Sequence, residues 1–142
     1  MERVGEVSQV TGLPQGSPEG GEHYGIGKKI GEFSYKVTST TYSETSAQIN
    51  LHGTATGFGT VEGTMTVTGE PGATSGKVSF RAAAFLDDGK IINGTGEGTW
   101  ETVGKHKWRI RGVNYVAGRT FASDGELELA TQSFSGKIYE WS

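Results

Sequence analysis

The chain has 142 residues, a length suited to one domain that buries a core unaided, and no cysteine, which excludes a disulfide framework and a thiol nucleophile. Net charge is −3 with acidic and basic residues interspersed, so there is no electrostatic footprint for nucleic acid or an anionic membrane. Hydrophobic residues make up 33% and glycines number 24, so the core must lean on aromatic and β-branched side chains.

The first residues, Met1 to Glu6, lack the apolar run of a secretory signal, and no segment approaches the length of a membrane span. The expected location is the cytoplasm. Val4, Val7 and Val10 alternate loosely and predict a strand over 2–10. Residues 11–28 are dense in Gly, Pro, Ser and Glu and read as a loop, a mobile arm or a lid over a cavity. Residues 1–29 are therefore expected to form a flexible N-terminal arm, and 30–142 the folded domain.

From Lys29 onward, Val, Ile, Thr, Phe, Tyr and Trp predict strands over 30–42, 46–56, 58–69, 75–86, 90–102, 105–117, 119–130 and 133–141. Gly69-Glu70-Pro71-Gly72 and Asp87-Asp88-Gly89 are turn sequences, and Gly104 and Ala117-Gly118 mark further reversals. No stretch shows helical periodicity. Hairpin after hairpin without a long crossover predicts an all-β fold, an antiparallel up-and-down β-barrel of about eight strands. The run Gly94-Thr95-Gly96-Glu97-Gly98-Thr99-Trp100 sets glycine on every second residue. One face of that strand is bare, which suits a tightly curved sheet whose gaps are filled by a neighbour's side chain or a ligand.

Alternation assigns the faces. Lys107, Arg109 and Arg111 are costly to bury, so His106, Trp108, Ile110, Gly112 and Asn114 point inward. The same reasoning turns in Phe33, Tyr35 and Val37; Ile49, Leu51, Gly53 and Ala55; Val61, Gly63 and Met65; Val78, Phe80, Ala82 and Ala84; and Phe134, Gly136, Ile138 and Glu140. The inner face is apolar, aromatic and interrupted by small residues, which predicts a cavity. Phe33, Met65, Phe80, Trp100, His106, Trp108, Ile110 and Ile138 are the candidate ligand contacts.

Meander topology brings Tyr35, Asn114 and Glu140 to one mouth, where a phenol, an amide and a carboxylate could position and polarise a guest. A carboxyl in apolar surroundings holds its proton longer and serves as a general acid or base. The bland alternative leaves Glu140 in water and Asn114 and Tyr35 bonded to nearby backbone. His23, His52 and His106 fall on a loop, an outer face and an inner face, without zinc-ligand spacing, and no metal site is expected. There is no Gly-x-Ser-x-Gly elbow, and no helix follows the 94–98 glycines to make a dinucleotide site. Outside, Tyr139 and Trp141 beside Arg109, Arg111 and Lys137 suggest a homo-oligomer interface or a sugar-stacking surface.

This Gly-Thr-rich hairpin meander over 30–141 resembles the small barrels grouped with allene oxide cyclases and dirigent proteins, and more loosely calycins. The resemblance implies an interior that takes an apolar molecule and, in the cyclase group, guides a ring closure with few catalytic groups. It implies Asn114 and Glu140 as polar contacts. The plant cyclase cavity carries a cysteine that this chain lacks. Two functions are thus expected to compete: a cofactor-independent cyclase or isomerase binding a small hydrophobic ligand, and a non-catalytic binding or assembly protein whose barrel is packed solid.

Overall fold

A computed structural model describes residues 25–141. The strand predicted over 2–10 and most of the arm lie outside the described residues. Eight antiparallel strands form one closed barrel: β1 (Ile26–Tyr42), β2 (Ser46–Ala55), β3 (Gly59–Thr68), β4 (Ser75–Phe85), β5 (Ile91–Gly104), β6 (Lys107–Val116), β7 (Arg119–Glu128) and β8 (Ser133–Trp141). Each strand pairs with its neighbour in sequence, as tight turns dictate, and β1 closes the ring on β8. The expected all-β up-and-down barrel is the observed one.

Closure falls to β1, the longest strand at 17 residues. Its first half pairs with β8 and its second with β2, and the segment from Phe33 to Lys36 pairs on both edges. Register shifts at Ile26/Lys29, Lys29/Gly31 and Val37/Ser39 bend the strand enough to do this. β1 begins at Ile26 rather than at residue 30, so the sheet takes in residues assigned to the arm.

The barrel has two unlike ends. The N-terminal end carries the start of β1, the turns β2–β3, β4–β5 and β6–β7, and the end of β8; the distal end carries the other four turns. The distal half is solid. Met65 is 0% and Ile110 1% exposed, and Ile49, Val78 and Leu127 are buried around them. The Trp100 indole donates from Nε1 to the Thr68 carbonyl at 2.8 Å. It lies across the hairpin end, over Gly69 and Gly76, where an added Cβ would meet the ring at 2.8 and 2.6 Å.

The inner glycines serve mainly close approach, not empty space. A Cβ on Gly125 would sit 2.6 Å from the Phe33 ring and 2.9 Å from that of Phe134. A Cβ on Gly98 would collide with the backbone of β6. Neighbouring aromatic rings and bent strands thus take most of the volume that the glycines release. Of the two fillings expected for the bare face, a neighbour's side chain or a guest, the first accounts for most of it, and Gly94 alone of the 94–98 glycines borders the chamber described below.

Candidate functional site

The small residues do leave a chamber in the N-terminal half. Its volume is about 130 Å³. Its walls include Ala55, Val61, Gly63, Ala82, Ala84 and Gly94, where short side chains on β2 to β5 face the aromatic side of the barrel. On that side Phe33 stacks on Tyr35 at 5.2 Å, meets Phe134 edge-on at 4.9 Å, and Phe134 lies parallel to Phe80 at 6.3 Å. Offset and edge-on pairs of this kind hold one another's orientation.

Phe58 and Phe121 stand at the N-terminal end of the chamber, T-shaped at 5.6 Å. Phe58 rides on the β2–β3 turn between Gly57 and Gly59, both left-handed with φ of 84° and 72°. Its amide donates to the Ala55 carbonyl at 3.0 Å. The Arg119 guanidinium lies 4.6 Å over the Phe121 ring, a cation–π contact that seats the ring against the rim.

Polar groups are few. Asn114 lies over Gly96, where a larger residue has no room, and donates from Nδ2 to the Ser123 hydroxyl at 3.0 Å. Tyr35 lines the chamber, and burial pushes its phenol up to about 12, so it stays protonated and able to donate.

Of the residues singled out in the sequence, Phe33, Tyr35, Phe80, Asn114 and Ile138 line the chamber together. Met65 and Ile110 are fully buried in the solid half, and Trp100 and Trp108 belong to the distal end, so none of these four reaches it. Glu140 is exposed at the end of β8, packed over Gly27 and paired across the sheet with Phe121, and is not among the lining residues, so it lacks the burial that would make it a cavity acid. His106 is not on the inner face: it occupies the β5–β6 turn with φ of 56°, exposed, because alternation stops where the chain reverses.

Sequence reasoning missed Phe58 and Phe121. Phe58 was expected to open a strand, although its flanking glycines were a turn signal. Phe121 shares a face with Ser123, Gly125 and Leu127, opposite Asp124, Glu126 and Glu128, and that alternation is the signal that finds it.

On the outer wall, Arg109 forms a two-pronged ion pair with Asp124, and Arg111 binds Glu101 at 2.7 Å. Both arginines beside Tyr139 and Trp141 are thus occupied within the chain. Among the described residues there is no group of three or more metal-ligating side chains, and no helix is long and apolar enough to cross a membrane. Comparison with known proteins finds no family model, no curated protein and no solved structure that matches this chain.

Proposed function

We propose that the barrel binds a small apolar molecule in the N-terminal chamber. The observation that carries this reading is the chamber itself: about 130 Å³, walled by aliphatic and aromatic carbon, in a barrel whose other half is packed solid. A barrel working only through its outer wall has no need of such a space, and the chamber weighs against that alternative. Any isomerisation or ring closure of the guest would be directed by the shape of the walls, with the Tyr35 phenol and the Asn114 amide as the polar groups at hand.

Benzene is the test molecule. An apolar cavity of about 150 Å³ stays dry and accepts it. Burying its six carbons at about 0.8 kcal/mol each gives about 5 kcal/mol, a Kd of about 0.2 mM. Isothermal titration of the protein with benzene should show one saturable site in that range. Ala84→Leu, which fills the chamber from β4, should abolish it while leaving the circular dichroism spectrum unchanged. No saturable binding to the wild-type chain, or undiminished binding to the folded variant, overturns the reading.

A further inference from the structure

We infer that the guest is a single six-membered ring carrying one hydrogen-bond acceptor, such as a carbonyl, which the Tyr35 hydroxyl takes up. The inference rests on the chamber being a ligand site and says what kind of molecule fits it. Two observations set the class.

The first is size. About 130 Å³ lies well below the roughly 300–1,000 Å³ of pockets that take drug-sized ligands. It matches the roughly 150 Å³ that holds one benzene ring. A fused bicycle does not fit inside without moving the walls, and a long acyl chain must leave most of its length outside the mouth. Those walls do not give way easily. Phe33, Phe134 and Phe80 are locked to one another by ring contacts, and Gly125 behind them has no slack.

The second is the polar handle. Tyr35 sits on the inner face of β1 with its ring against Phe33 and 6.2 Å from Phe134. Burial alone perturbs the phenol; no hydrogen bond from the described residues contributes. A buried hydroxyl without a partner is costly, and a guest that supplies an acceptor removes the cost. Two other polar groups of the lining are drawn into bonds within the chain: Asn114 spends one amide N–H on the Ser123 hydroxyl, and the Thr64 hydroxyl donates to Asn50 Oδ1 at 2.7 Å. Tyr35 is the donor whose ring is seated among the aromatic side chains of the chamber. It is uncharged at neutral pH, so a neutral acceptor suits it; Arg81, the cation among the lining residues, is exposed.

The experiment is a cycle of two ligands and two proteins. Cyclohexanone and cyclohexane share a ring size and differ by one acceptor. Tyr35→Phe removes one hydroxyl and keeps the ring. Cyclohexanone should bind the variant roughly fivefold more weakly than the wild type, the weight of one neutral hydrogen bond. Cyclohexane should bind both alike. 2-Decalone, which adds a fused ring to the same ketone, should bind neither. In parallel, the carbonyl stretch of cyclohexanone bound to the wild-type chain should move to lower frequency than in hexane, a readout that does not depend on the variant folding. An unshifted stretch, or a ketone indifferent to Tyr35→Phe, overturns the polar handle while leaving the chamber reading intact. Saturable 2-decalone binding overturns the size class. Absence of binding by every ring, benzene included, removes the chamber reading beneath both.

Discussion

Gly98→Ala tests whether the inner glycines exist for close approach of the strands. The added Cβ would land on the Arg111 carbonyl oxygen and 2.6 Å from the Gly112 Cα, both of them backbone atoms on β6. Even contacts of 3.0 Å are tight for a Cβ, and the clash with the carbonyl oxygen is the closer of the two, so β5 and β6 must part by more than about 1 Å where Gly98 faces Gly112. Ladder hydrogen bonds of about 2.9 Å would stretch to about 4 Å, past useful geometry. Losing two at about 1 kcal/mol each, with about 1–3 kcal/mol of overpacking, gives about 3–5 kcal/mol. Gly72→Ala is the control. It has φ of 84° and nothing within 4 Å of the new carbon, so it costs only the left-handed backbone, about 1 kcal/mol. With a urea m-value of about 2 kcal/mol/M, the denaturation midpoint should fall by about 2 M for Gly98→Ala and about 0.5 M for Gly72→Ala. If Gly98→Ala is no more damaging than Gly72→Ala, the strands are not held at glycine distance and the account of the barrel's curvature is wrong.

Met65→Ala should cost roughly 3 kcal/mol and lower Tm by about 10 °C in a calorimetric scan, because Met65 is 0% exposed in the half of the barrel that has no spare room. Glu140→Gln should change benzene affinity by less than about twofold in the same titration, since an exposed side chain outside the lining contributes little. Tyr35 makes stability fall at high pH. Burial holds its phenol up at about 12 against 10.0 for a free tyrosine, so between those values the folded chain keeps a proton that the unfolded chain has lost. The contribution is whole below pH 10 and drops by on the order of 2 kcal/mol as pH rises to 12. Urea melts at pH 9.5 and 11.5 should therefore show a steeper loss for the wild-type chain than for Tyr35→Phe.

The strands were legible because period-2 alternation and turn chemistry agreed along the whole of 30–141. Lys107, Arg109 and Arg111 fixed one face of β6 outright, and the inward set Phe33, Tyr35, Phe80, Asn114 and Ile138 followed from the same rule. What alternation does not encode is height along the barrel axis. Met65 and Ile138 both point inward, yet only Ile138 meets the chamber. Nor does alternation survive a reversal: it predicts strands through His106 and Phe58, and both sit in turns. The volume released by glycine was legible, but not who takes it. Gly125 is filled by Phe33 and Phe134 from two other strands, a three-body fact that no single segment contains.

The unevenness of the lumen is itself informative. An enclosed apolar void costs stability at about 24 cal/mol per Å³; the chamber opens at one mouth, so its volume of about 130 Å³ forgoes at most about 3 kcal/mol. That is a large share of the roughly 5–15 kcal/mol that keeps a domain folded. The distal half shows that this chain can fill its lumen, since Met65, Ile110, Val78 and Leu127 do so there. One larger residue at Ala84 or Ala82 would close the gap from a wall that already faces it. Ala84→Leu should accordingly raise the urea midpoint even as it blocks benzene. A substitution that stabilises the fold and removes the binding separates the two demands on the lumen: the distal half holds the barrel shut, and the N-terminal half holds a space open at the expense of stability.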